Sequence, residues 1–144
     1  MIRLKFTIVF VLSVFYSLLS FSVAKKPIQN IDVETFDSIP SEIDGGICCF
    51  YLHPNKEQNK GYIMLNDLAS TAYMKINHKM EEFILIANSK NVYLYSNKRF
   101  HLKVIVNTIK SKQNYEFYDL NGVIILRDCK KRIKKISFYG TCDW

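Results

Sequence analysis

Residues 71–87, TAYMKINHKMEEFILIA, commit this chain to β-structure. Ala72, Met74 and Ile76 alternate with Thr71, Tyr73 and Lys75, and the pattern stops at Asn77-His78 and restarts at Lys79. Strand side chains alternate with a period of two, so the alternation sends one set inward and the other outward. A two-residue loop of type I′ needs positive φ at both central residues, which Asn accepts readily and His less so. The stretch therefore predicts a hairpin with arms over residues 71–76 and 79–87.

The rest of the chain repeats this unit. A strand-like run over 47–53 is closed by Pro54-Asn55, and 62–65 makes a short strand turned by Asn66-Asp67. After the hairpin, 92–95 and 100–109 follow, separated by Ser96-Asn97-Lys98. Phe100, Leu102, Val104, Val106 and Thr108 point one way and His101, Lys103, Ile105 and Asn107 the other. Residues 115–126 contain Asn121-Gly122, which is either a hairpin turn or a bulge inside one long strand. The final strand covers 132–139. Ahead of all these, Asp37 and Ser38 before Pro40, with Glu42 behind, predict a turn or two of helix stopped by Gly45-Gly46, acting as a plug or lid over one end.

With a bulge at Asn121-Gly122 there are eight strands joined by short connections. Sequential strands so joined are usually antiparallel neighbours, which predicts an all-β antiparallel meander. Closing into a small barrel removes its exposed edges; a two-sheet sandwich is the alternative. The chain is 49% apolar and 14% aromatic, enough to fill such a core, which excludes global disorder.

The first residues stand apart. Arg3 and Lys5 precede an apolar run over 6–19, and Ser22-Val23-Ala24 supplies the small residues a signal peptidase reads. Residues 1–24 are read as a cleaved signal peptide, the alternative being an uncleaved membrane anchor. Residues 25–46 form an N-terminal arm and 47–144 the β-domain. The expected location is periplasmic or extracellular.

All four cysteines, Cys48, Cys49, Cys129 and Cys142, fall in the exported part, where disulfides persist. In an eight-strand barrel the start of the first strand lies beside the end of the last. That places Cys48 or Cys49 against Cys142, and the sequence leaves the choice open. Cys129 lies at the far end of the last strand, about 25 Å or more from Cys142. One disulfide and two thiols are expected, in a monomer or a Cys129-linked dimer.

The order ETFDSIP (34–40), DGGICCFY (44–51), AYMKINHKM (72–80) and YGTC (139–142) resembles small exported β-rich proteins of Gram-negative bacteria with no assigned function. In that pattern glycine follows the Ile-Asn pair and the first cysteines are spaced by one residue; His78 and the adjacent Cys48-Cys49 depart from it. No active-site residues come with the resemblance. In size, barrel build and disulfide the chain is also similar to small exported lysozyme inhibitors, although an inhibitor of a basic lysozyme would favour an acidic surface.

Nothing in the residues marks an enzyme. His53, His78 and His101 sit on separate elements without metal-ligand spacing, so no metal or cofactor is expected. No phosphate loop or nucleophile elbow occurs, and Glu81-Glu82 must face opposite ways on a strand. Removing Arg3 and Lys5 takes the net charge from +7 to +5, with Arg127, Lys130, Lys131, Arg132, Lys134 and Lys135 crowded near the end. That run is the candidate anion-interaction patch, facing an anionic envelope component or an acidic protein. Its bland counterpart is a solvated hairpin whose lysines guard an exposed strand. Nucleic acid is not expected, although Tyr115, Tyr118 and Phe138 offer stacking faces. The expected function is an exported, non-catalytic binding or inhibitor module; the alternative is a carrier of a small apolar ligand in a lipocalin-like barrel.

Overall fold

The computed structural model describes residues 30–67, 70–111 and 117–143. The expected signal peptide, the first residues of the arm and Tyr115 lie outside the described residues. Nine strands form: β1 (Val33–Glu34), β2 (Ile47–Tyr51), β3 (Met64–Asn66), β4 (Thr71–Ile76), β5 (Lys79–Ser89), β6 (Val92–Ser96), β7 (Phe100–Ser111), β8 (Phe117–Asp128) and β9 (Ile133–Asp143). Strands β2 to β9 each pair antiparallel with the next, and β9 returns to β2 with Ile47 opposite Asp143 and Tyr51 opposite Tyr139. The result is a closed eight-strand antiparallel barrel with one extra strand, β1, outside it.

The alternation read from the sequence sorts the walls. Met74, Ile76, Phe83, Leu102, Val104, Ile124, Leu126 and Phe138 point inward and are buried in one core cluster, with Phe50 and Phe138 edge to face at 4.9 Å. Cys48 and Cys142 face each other across the β2–β9 ladder and are joined by a disulfide, so the inward parity of β2 selects Cys48 over Cys49. The hairpin turn is as expected, with φ of 49° at Asn77 and 66° at His78. The His78 N–H donates to Glu34 Oε1 at 2.5 Å, which ties its left-handed backbone to the N-terminal arm.

That arm differs from the expected helical turn. A single hydrogen-bonded turn, Ile43 N–H to the Pro40 carbonyl at 3.1 Å, replaces it. The residues before this turn are held extended: β1 adds to the edge of β4 beyond the point where the short β3 ends, with Val33 opposite Ile76. Phe36 then exchanges two backbone hydrogen bonds with Tyr62, at 2.9 and 2.7 Å. Tyr62 is thereby a bridge to the arm rather than part of β3. Leu65 and Tyr73, outward-facing by parity, are nonetheless buried. Of the arm, Ile31 joins the barrel core, Val33 packs against it, and Phe36 is buried with its ring edge-on to Tyr62.

Asn121-Gly122 is neither a turn nor a bulge; β8 runs straight through it. The register shift lies across from it in β7, between Val106 and Thr108. Gly122 is required because a Cβ there would collide with the Ile105 carbonyl oxygen and sit 2.9 Å from the Phe138 ring. Gly122→Ala is expected to cost about 2 kcal/mol by overpacking, measured as a lowered urea midpoint; an unchanged midpoint would mean β7 yields freely.

Candidate functional site

The β8–β9 turn is built by one carboxylate. Asp128 is buried, and its Oδ1 accepts the N–H groups of Lys130 and Arg132, both at 2.9 Å. Its Oδ2 accepts Arg132 Nε at 2.6 Å and lies 2.5 Å from Nη2. The Lys131 N–H reaches the Asp128 carbonyl, and Lys131 takes φ of 63°. Burial pushes the Asp128 pKa up, but the hydrogen bonds from Arg132 and Lys130 outweigh it and hold the carboxyl below its ordinary value.

This splits the six cations of the run. Arg132 is committed to Asp128 and is a structural residue. Lys130 and Lys131 are displayed on the turn beside the exposed thiol of Cys129. Lys134 opposes Leu126, so its parity is inward and it stands at the barrel mouth. Arg127 and Lys135 lie on the outer wall, where the register brings up partners that the run alone did not announce. His101 opposes Arg127, which opposes Ile133; Lys103 opposes Ile125, which opposes Lys135.

The wall therefore carries two cross-strand rows, His101–Arg127–Ile133 and Lys103–Ile125–Lys135, above an apolar row of Ile105 and Val123. Its four cationic or titratable side chains are exposed, and Ile133 is 59% exposed. Among the described residues the ion pairs use Lys75, His78, Arg99 and Arg132, none of which lies in these rows. Charged ends flanking short aliphatic side chains can attract an anion and cover apolar surface in one contact. The pairing of β7 with β8 is the signal that joins His101 and Lys103 to the patch.

A second buried acid sits at the same end of the barrel. Glu81 points inward, opposite Met74, and meets Arg99 Nη1 at 2.5 Å and Asn97 Nδ2 at 2.9 Å. The Arg99 guanidinium also lies 5.2 Å from the centre of the Phe100 ring. These contacts fix the β6–β7 turn, just as Asp128 fixes β8–β9. Glu82 faces outward, so the two glutamates are on opposite faces as their adjacency predicts. The three histidines are apart, and among the described residues no three His, Cys, Asp or Glu side chains are grouped to hold a metal ion.

Phe138 is 1% exposed, which removes it as a nucleic-acid stacking face. Its parity on β9 is inward, and alternation within that strand was the deciding signal. No family model, curated protein or solved structure matches the chain, so its function is read from this geometry.

Proposed function

We propose that this chain is an exported, non-catalytic binding or inhibitor module that meets an anionic envelope component or an acidic host protein through the outer wall of β7, β8 and β9. The observation that carries the reading is the pair of rows His101–Arg127–Ile133 and Lys103–Ile125–Lys135, which concentrates charge from three strands on one rigid surface. The Cys48–Cys142 disulfide is compatible with an oxidising location, in keeping with the signal-like first residues. The carrier reading needs open interior volume. Met64, Met74, Phe83, Leu102, Ile124 and Phe138 instead occupy the barrel, each less than 2% exposed, which favours a surface function. The expected form is a monomer, or a dimer linked through Cys129.

Charge reversal tests the wall. Lys103→Glu with Lys135→Glu is expected to weaken binding to poly-glutamate by about tenfold or more at low salt, and wild-type binding should fall steeply as salt rises. Isothermal titration at several ionic strengths reads both effects. Unchanged affinity in the reversed protein would remove this wall from the function.

A further inference from the structure

Below the cationic rows, the same wall changes chemistry. Tyr51 of β2 opposes Tyr139 of β9, which opposes Asn121 of β8. One row further, Thr141 opposes Asp119, which opposes Lys110 of β7. These side chains line a half-open groove of about 370 Å³, rimmed at the β2 end by His53 and Pro54. A volume of this size is at the lower end for small-molecule sites.

The groove is braced rather than loose. The Asn59 side chain accepts the His53 N–H at 2.9 Å and donates to the carbonyls of His53 and Asn55, at 2.8 and 2.9 Å, which fixes the rim. Tyr51 rests 5.5 Å from the Tyr62 ring and hydrogen-bonds the Thr141 and Cys49 side chains. Burial, then the neighbouring Cys49 and Tyr62, raise its pKa to about 12, so its phenol stays protonated at neutral pH. Tyr139 is 40% exposed and supplies an accessible aromatic face.

Aromatic rings beside an amide, a carboxylate and a hydroxyl make a recognisable combination. The rings cover the C–H face of a pyranose, while Asn121, Asp119 and Thr141 supply donors and acceptors for its hydroxyls. Four residues along β9 separate Tyr139 from Lys135, about 14 Å at strand rise, so a chain of several sugars is needed to reach both.

We propose that the groove is a saccharide subsite and that the wall takes an acidic glycan, with a sugar ring against Tyr139 and carboxylate or sulfate groups along Lys135 and Lys103. This rests on the wall being the binding face, and names its partner by class. The test titrates the full chain with an oligogalacturonate, a neutral dextran oligosaccharide and poly-glutamate of matched charge. The acidic oligosaccharide is expected to bind most tightly. Tyr139→Ala and Asn121→Ala should each weaken it by about tenfold and leave poly-glutamate unchanged, with thermal melts confirming that both variants fold.

Three outcomes overturn the inference. If both variants bind oligogalacturonate like the wild type, or lose both anions equally, the saccharide subsite is wrong while the cationic wall stands. If dextran binds as tightly as oligogalacturonate, the acidic requirement is wrong. If Lys103→Glu with Lys135→Glu changes neither anion, the wall reading itself fails, and the glycan assignment with it.

Discussion

Replacing Cys48 and Cys142 together by alanine is expected to lower the unfolding free energy by about 4.7 kcal/mol, the chain-entropy value for a closed loop of this length. The bond spans 94 residues and joins the first barrel strand to the last. Opposite it, the β2–β9 ladder offers five residue pairs, Ile47 with Asp143 through Tyr51 with Tyr139. β9 otherwise pairs with β8 over eleven positions, so the β2 contact is the weaker seam. Cys49 cannot take over the pairing, because a one-residue slip would turn every side chain of β2 to the other face and expose Phe50. Urea unfolding of the oxidised wild type against the double variant measures the difference. A loss below about 1 kcal/mol would show that packing of Phe50 on Phe138 closes the barrel without the bond.

The parts of this fold that sequence made legible are those set by local chemistry. Asn77-His78 stops one alternating run and starts another, and the turn has the predicted backbone. Alternation within β7 placed Phe100, Leu102, Val104 and Val106 inside. What stayed hidden depends on which strand lies beside which. β1 is two residues long and gains its strand character only from the vacant edge of β4. Asn121-Gly122 has two readings in sequence, a hairpin turn or a bulge, and neither holds: the extra residue lies in β7, and Gly122 is the place where the facing backbone comes too close for a Cβ. The choice between Cys48 and Cys49 is a question of parity, and parity follows from register.

The candidate site divides in the same way. A run of cations is visible in any sequence, yet Arg132 drops out because Asp128 claims it, while His101 and Lys103 join from another strand. The groove is not legible in the sequence, since Tyr51, Tyr139, Asn121 and Asp119 come from three strands and share no sequence motif. Cross-strand rows are the unit of recognition on such a wall, and they exist only once the ladder is known.

Asp128→Asn is expected to destabilise the protein by about 3 kcal/mol at neutral pH, the scale for removing one partner of a buried ion pair. The amide keeps the shape of the carboxylate but turns a donor toward Arg132 and leaves the guanidinium without its counter-charge. Asp128→Ala with Arg132→Ala should cost less than the two single changes added together, because the pair fails as a unit. The pH dependence has a definite sign. The folded carboxyl titrates below its ordinary value of 3.8, so above that pH the folded state holds the charged form as fully as the unfolded chain does. Its contribution is present above about 3.8 and is lost as pH falls through the lower folded value. The gap between wild type and Asp128→Asn should therefore be widest at neutral pH and narrow on the acid side. Urea midpoints at neutral and strongly acid pH measure that gap, and a gap independent of pH would mean that the hydrogen bonds to Lys130 and Arg132 matter without the charge. The variant also reaches the binding surface: with the turn released, Lys130 and Lys131 lose their fixed display while Lys103 and Lys135 keep theirs. Poly-glutamate binding that survives in the folded variant would assign recognition to the wall rather than to the turn.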